Sequence, residues 1–164
     1  MFSRIKILIA VILGLFLSTP VYAAVGTVTQ ALTQVCESGT MNCVKVLTFT
    51  GIGGTAGETG TWPATAMSAG YTSALKGWYL YKVITTPGAT PPEDNWDFTL
   101  VDTDGIDVLG SAGLNRHTTT SQMLAPLLTT GVYFAQPVLS AWTFTPSGNT
   151  TASAIIVVKL IFVR

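Results

Sequence analysis

Charged side chains are scarce in this sequence. Asp, Glu, Lys and Arg make up 10% of the 164 residues, eight acidic and eight basic, whereas 48% are hydrophobic. The lack of a basic stripe argues against a nucleic-acid partner. A surface with so few charges is common in proteins that pack against copies of themselves. We therefore expect no nucleic-acid binding, and partners that are copies of this chain or another surface protein.

Residue types that carry catalytic chemistry are few and poorly placed. His117 is the single histidine, and it lies in a polar stretch. Ser111 lies in the sequence GSAG (residues 110–113), which lacks the G-x-S-x-G spacing of a nucleophile elbow. The glycine-rich run at 51–57 is followed by neither a helical pattern nor a P-loop lysine, which favours a plain loop over a phosphate cradle. The sequence predicts no catalytic residues, no cofactor and no enzymatic activity.

The hydrophobic run at the N-terminus is too short for a membrane span. Arg4 and Lys6 precede an apolar run at 7–17, and small residues dominate at 18–24. This order matches the charged, apolar and cleavage regions of a secretory signal. A run of about a dozen residues falls short of the roughly 20 that a spanning helix needs, although an uncleaved anchor is the alternative. We predict a signal peptide at 1–23, one domain at 24–164, a secreted or periplasmic (extracellular) location and no membrane association after cleavage.

Only two cysteines are present, Cys36 and Cys43, and six residues separate them. Downstream of a signal peptide the chain meets an oxidising compartment, so a local disulfide is the favoured interpretation. Closing so short a loop contributes about 2 to 3 kcal/mol in the chain-entropy account. A metal site is the alternative, but this pair and one distant histidine do not supply four ligands.

Short runs rich in Val, Ile, Thr and aromatic residues recur along the chain, separated by the turn-forming residues Gly, Pro, Asn and Asp. About eight such runs, without a long amphipathic helix, predict an all-β fold: a single β-sandwich or jelly-roll-like domain. The runs at 25–35 and 44–50 predict a hairpin with the disulfide at its tip. Asp104-Gly105 predicts a two-residue hairpin turn, and residues 121–128 predict a helical turn. The final run, 154–163, is apolar on both faces, so it must be central or covered by another subunit.

Six of the eight acidic residues lie within residues 93–107. Oxygen ligands at turn spacings are what calcium requires, so this segment supplies a weak candidate calcium site. The candidate ligands are Asp102, Asp104 and Asp107. The alternative is that the acids serve the turn and face solvent, and paired carboxylates of a glycosidase are a further, weaker alternative.

Four tryptophans and several tyrosines allow two interpretations. Exposed on one surface, these side chains would form a sugar-binding platform of Trp62, Trp78, Trp96 and Trp142 with Tyr79, Tyr81 and Tyr133. In a sheet protein such residues more often belong to the core, because aromatic side chains suit half-buried pleated surfaces. The sequence leaves the residues of any binding site unknown.

Residues 78–116 resemble a class of small uncharacterised β-rich proteins from the structural gene clusters of tailed phages. The resemblance lies in residues 80–83 (LYKV), 86–90 (TPGAT), 94–100 (DNWDFTL), 104–110 (DGIDVLG) and 113–116 (GLNR). It implies a virion-associated β domain with no catalytic residues. The signal peptide departs from that pattern, because virion subunits assemble in the cytoplasm.

Two functions are consistent with these features. The first is an exported, non-catalytic structural or assembly protein, either virion-like or the subunit of an extracellular polymer. The second is a secreted binding module for a glycan or a cell-surface partner. Low charge and the apolar final run favour the first, and the tryptophans and the acidic segment motivate the second.

Overall fold

The computed structural model of the protein describes residues 25–36, 43–55, 60–129 and 131–164. The predicted signal peptide at 1–23 lies outside these residues. Strands dominate the described part, which contains eleven strands and one helix of seven residues. The prediction of an all-β fold is confirmed. The strands outnumber the predicted eight because several have only two or three residues.

The largest sheet is antiparallel and has the strand order β1-β2-β11-β4-β6, with β9 also paired to β4. Its strands are β1 (Thr27–Cys36), β2 (Cys43–Ile52), β4 (Tyr79–Pro87), β6 (Gln122–Leu124), β9 (Gln136–Pro137) and β11 (Ile155–Val163). The apolar final run therefore forms β11, in the middle of this sheet between β2 and β4.

A smaller sheet has the order β3-β10-β5, and a separate two-stranded hairpin joins β7 to β8. Their strands are β3 (Thr65–Ala66), β5 (Asp97–Val101), β7 (Leu127–Thr129), β8 (Val132–Tyr133) and β10 (Thr143–Ser147). The helix α1 (Ala69–Leu75) begins after Ser68, whose side chain accepts a hydrogen bond from the backbone N–H of Tyr71. That contact satisfies one of the free N–H groups of the first turn.

One hydrophobic core lies between the two larger sheets. In β2 and β11 the side chains alternate, so that Leu47, Phe49 and every second residue of β11 are buried. The Phe49 ring of the large sheet stacks on Phe144 of the small sheet, with ring centroids 4.7 Å apart. Phe98 also contacts Phe144, at 5.7 Å between centroids. These rings stabilise the packing of the two sheets, because they bury apolar surface and contact one another.

The hairpin of β1 and β2 matches the sequence prediction. Their residues pair one to one from Thr27 opposite Ile52 to Cys36 opposite Cys43, without a bulge. The two cysteines form a disulfide at the end of this ladder. The loop of residues 37–42 between them lies outside the described residues.

The helical turn predicted at residues 121–128 is wrong. This segment forms β6 and β7, separated by Ala125 and Pro126. Proline lacks the N–H that a helix interior requires, and tertiary pairing with Thr85 and Val83 of β4 draws the preceding residues into the sheet.

Candidate functional site

A groove of about 900 Å³ opens at the edge of β4. It arises because β4 has two different neighbours on that side: β9 pairs with Tyr79 and Leu80, and β6 pairs with residues 83–85. Tyr81 and Lys82 lie in the gap between them. On the other side of β4, the register with β11 shifts at this point, since Phe162 pairs with Leu80 and Ile161 pairs with Lys82. Tyr81 is the extra residue of this bulge, and a bulge changes the direction of a side chain.

The groove has an apolar and aromatic rim. Five side chains on its lining are more than a third exposed: Leu114 (39%), Phe134 (54%), Tyr81 (55%), Tyr133 (68%) and Met123 (69%). Aromatic rings of this kind offer flat faces to an apolar or sugar surface. The arrangement is suited to holding a ligand by stacking.

Two cationic side chains, Lys82 and Arg116, also line the groove. The Nε of Arg116 donates to the backbone carbonyl of Leu114 at 2.9 Å, which turns the guanidinium onto its own loop. Burial lowers the pKa of Arg116, and the charge of nearby Asp97 opposes that shift. The Nζ of Lys82 lies 5.9 Å from the centroid of the Tyr81 ring, within reach of a cation–π contact.

The carboxylate of Asp107 is a backbone acceptor. Its Oδ1 accepts from the N–H of Leu100 at 3.1 Å and of Leu109 at 3.2 Å, and its Oδ2 accepts from the N–H of Ser111 at 2.8 Å. One side chain therefore ties the loop after β5 to the edge of that strand. A charged acceptor makes stronger hydrogen bonds than a neutral one.

Asp102 organises the hairpin tip in a similar way. Its Oδ1 accepts from the N–H groups of Asp104 and Ile106, both at 2.9 Å. Gly105 has a φ of +83°, and the N–H of Asp102 donates to the carbonyl of Ile106. The turn is thus one residue longer than predicted. The segment that follows the turn pairs with β5 only through the single bridge between Val101 and Asp107.

The other acids of this segment have comparable partners. Asp94 accepts from the N–H of Thr118 at 3.1 Å, and Asp97 accepts from the N–H of Asn115 at 2.7 Å. Among the described residues, no group of three or more His, Cys, Asp or Glu side chains is placed to hold a metal ion. Calcium binding by Asp102, Asp104 and Asp107 stays a prediction. In the structure, Asp102 and Asp107 accept backbone hydrogen bonds that stabilise turns.

His117 lies in the loop that follows. Its Nδ1 accepts from the N–H groups of Thr119 and Thr120, at 3.1 and 3.2 Å. The ring therefore caps a turn of its own loop. In the glycine-rich run, Gly51 belongs to β2 and the N–H of Gly53 donates to the carbonyl of Ala154. Residues 56–59 of that run lie outside the described part of the chain.

All four tryptophans are core residues. Trp96 and Trp142 are at most 1% exposed, and Trp62 and Trp78 are 6% and 7% exposed. The platform is therefore absent at the four tryptophans. The three tyrosines of the same set are exposed: Tyr81 and Tyr133 line the groove, and Tyr79 lies outside it.

Neighbouring segments cover the long edges of the sheets, except that of β1. The outer edge of β5 bonds to the loop after it, where the N–H of Phe98 donates to Gly113 and that of Val108 donates to Leu100. A Cβ on Gly113 would lie 2.1 Å from the Phe98 carbonyl oxygen, so only glycine allows this approach. β6 and β9 cover most of β4. By contrast, β1 pairs only with β2 among the described residues.

The outer face of the large sheet is mainly apolar over three adjacent strands, with three threonines and Lys159 among its side chains. The side chains on this face are half-buried or exposed, and they alternate with the buried ones. They include Val44, Val46, Thr48 and Thr50 of β2, Ile84 and Thr86 of β4, and Ile155, Val157, Lys159, Ile161 and Val163 of β11. An antiparallel sheet with one face on the core usually carries polar side chains on its solvent face. Because this outer face carries many apolar side chains instead, its composition is that of an interface.

No protein-family model, curated protein or solved structure matches this chain. In the residues that the structure describes, no helix is long and apolar enough to cross a membrane. The disulfide between Cys36 and Cys43 is compatible with a location outside the cytoplasm. Function must therefore be inferred from the surfaces that the fold creates.

The position of the groove could not be predicted from sequence patterns. It depends on where β4 changes partner and on the bulge at Tyr81, and both are set by pairings distant in the sequence. The available signal was the set of tyrosines that accompany the tryptophans, because Tyr81 and Tyr133 of that set line the groove.

Proposed function

We propose that this protein is an exported, non-catalytic assembly subunit that packs against copies of itself. The observation that carries the proposal is the outer face of the large sheet, which is apolar across β2, β11 and β4 and yet only half-buried. Low overall charge supports it, because two such surfaces approach each other without strong repulsion.

The size of the face supports the proposal. Three strands spaced at about 4.8 Å, each with about nine residues rising about 3.4 Å, span roughly 14 by 30 Å, or about 430 Å² in projection. A standard stable interface buries about 800 Å² per partner, which is the same order. Two such faces pack at about 10 Å, as sheets do in sandwich domains.

The proposed setting is outside the cytoplasm, as the subunit of an extracellular polymer or of a virion-like particle. The signal sequence predicted at residues 1–23 and the disulfide of Cys36 and Cys43 support export. The likeness of residues 78–116 to tailed-phage structural proteins supports the virion-like form.

A charge introduced on the outer face is expected to abolish self-association. Val46 and Ile161 are opposite each other in the β2–β11 register and both lie on this face. In the double variant Val46→Glu/Ile161→Glu, four carboxylates per contact would have to be desolvated, which we expect to weaken association by at least about 100-fold. Sedimentation velocity across a concentration series measures the change.

The control is Thr103→Glu, which adds a carboxylate at the exposed hairpin tip away from this face. It should associate like the unaltered protein. Circular dichroism and thermal melting show whether the double variant folds, and Ile84→Glu on the neighbouring strand provides a second, single-site variant. Equal association of all these variants would contradict an interface on the outer face.

The groove favours a second candidate function, that of a binding module for a glycan. Tyr81, Tyr133 and Phe134 expose their rings around a cavity of about 900 Å³. Sugar rings stack on such faces, and the nearby Arg116 and Lys82 favour an acidic saccharide.

For this candidate, Tyr133→Ala is expected to reduce affinity for an acidic polysaccharide by about 10-fold, because one stacked ring contributes about 1 to 2 kcal/mol. Tyr79→Ala is the matched control, since Tyr79 is also exposed (44%) but does not line the groove. Isothermal titration calorimetry gives the affinities. The absence of binding heat at millimolar saccharide would overturn this second candidate.

A further inference from the structure

We infer that the free edge of β1 is a second assembly contact, at which β1 pairs antiparallel with β1 of another copy across a two-fold axis. This inference rests on the proposed function, since it takes the protein to assemble with copies of itself. It adds the location, the partner strand and the hydrogen-bond pattern of the contact.

The direction of the backbone groups of β1 follows from the neighbouring ladders. The N–H of Gly53 donates to the carbonyl of Ala154 at 2.8 Å, in continuation of the β2–β11 ladder. Odd-numbered residues of β2 therefore direct their backbone groups to β11, and even-numbered residues direct theirs to β1. Because Thr48 of β2 pairs with Ala31, the odd-numbered residues of β1 bond to β2. The even-numbered residues direct their N–H and carbonyl groups away from the sheet: Val28, Gln30, Leu32, Gln34 and Cys36.

The edge lacks the usual protection against strand pairing. The ten residues of β1 (TVTQALTQVC) contain no charge, no proline and no glycine, and the strand pairs with β2 without a bulge. Proteins normally blunt a long edge with lysine, proline, a bulge or a covering loop. This chain covers the edge of β5 with such a loop, held by Asp107 and Gly113. The contrast between the two edges indicates that β1 is left open for a partner.

A second copy fits this edge by symmetry. Two identical strands pair antiparallel around a two-fold axis perpendicular to the sheet, which keeps the outer faces of both copies on the same side. If the two-fold axis passes near Leu32, each even-numbered residue of one β1 strand lies opposite an even-numbered residue of the other β1 strand. That register forms about ten backbone hydrogen bonds, comparable to the number in a typical interface. The uncharged strand brings no repulsion to this contact.

Gly26, directly before β1, packs within its own domain. It lies against the backbone of Thr61 and Gly54, where an added Cβ would lie 2.0 Å from the Thr61 carbonyl oxygen. A two-fold edge contact and a separate contact on the outer face, both present on one subunit, allow an assembly larger than a dimer.

Residue-resolved amide hydrogen exchange tests the inference on protein expressed from the full-length sequence. At concentrations where the protein associates, the amides of Val28, Leu32 and Gln34 should exchange at least about 10-fold more slowly than at concentrations where it is monomeric. The amides of Thr29, Ala31 and Thr33 should be equally protected at both, because they bond within the sheet. Association that leaves the even-numbered amides unprotected would overturn the edge contact and leave the proposed function standing.

Two other outcomes would also contradict the edge contact or the proposed function. Protection of the even-numbered amides that does not change on dilution would identify an occupant from the same chain and would overturn the inference. The absence of any association would overturn the proposed function itself.

A proline at Gln34 provides the matched variant test. Gln34→Pro removes an outward N–H and none of the bonds to β2, so the monomer should keep its fold while the edge contact weakens by at least about 10-fold. Gln34→Ala removes the same side chain and keeps the N–H, so it should change the contact by less than about 3-fold. If the proline variant does not fold, the double variant Ala31→Lys/Thr33→Lys places lysines at two exposed positions that lie opposite each other across the same contact. Unchanged association in the folded proline or lysine variant would overturn the inference.

Discussion

Replacing Phe144 with alanine is expected to lower the free energy of unfolding by about 3 to 5 kcal/mol, a large part of the stability of a domain this size. Phe144 is fully buried, stacks on Phe49 of the opposite sheet at 4.7 Å and contacts Phe98 at 5.7 Å. Its removal leaves a cavity at the place where the two sheets meet, and the rigid strands on both sides cannot collapse into it. Urea unfolding followed by circular dichroism measures the effect.

Phe134→Ala is the matched control, because it removes the same side chain from a position that is 54% exposed. We expect it to cost less than about 1 kcal/mol. Equal destabilisation by the two substitutions would contradict a core centred on the Phe49–Phe144 stack.

Asp107→Ala is expected to lower the free energy of unfolding by about 3 kcal/mol. Three backbone N–H groups, those of Leu100, Leu109 and Ser111, lose their acceptor at once, and hydrogen bonds to a charged group contribute about 1.5 to 3 kcal/mol each before relaxation. The loop also releases the edge of β5, so the variant should aggregate more readily on heating. Chemical denaturation and light scattering during a thermal ramp measure these two effects.

Asp107→Asn should retain part of this stability, because its remaining oxygen can still accept the two bonds made by Oδ1. Asp104→Ala is the control, since Asp104 lies in the same acidic segment and its side chain is exposed. It should change stability by less than about 0.5 kcal/mol. A larger effect at Asp104 than at Asp107 would contradict the structural role assigned to the Asp107 carboxylate.

The local features of the fold could be predicted from the sequence where short-range patterns decide them. Alternation in β2 and β5, the apolar run of β11 and the spacing of Cys36 and Cys43 led to an all-β fold with a disulfide-closed hairpin, which the structure shows. The acidic segment was more ambiguous. The spacing of its acidic residues suits either a cation site or a turn. Only the hydrogen bonds in the structure show that the carboxylates of Asp102 and Asp107 bind backbone N–H groups.

The surfaces that carry the proposals could not be predicted, because they depend on pairings between distant segments. Residues 122–129 have no sustained period, and their strands form because β6 pairs with β4 and β7 pairs with β8. The open edge of β1 is visible only when the strand order is known. The apolar pattern of β11 did indicate a strand that is central or covered, and the structure adds that its outer side chains are half-buried.

The most direct test of assembly is sedimentation velocity of the unaltered protein, expressed from its full-length sequence and purified with its disulfide intact. Over a range from about 1 to about 100 μM, a typical span for weak protein contacts, the mean particle mass should rise well above that of one chain. At the lowest concentrations it should return towards the mass of a single chain. A single-chain mass at every concentration would contradict the proposal that this protein is an assembly subunit.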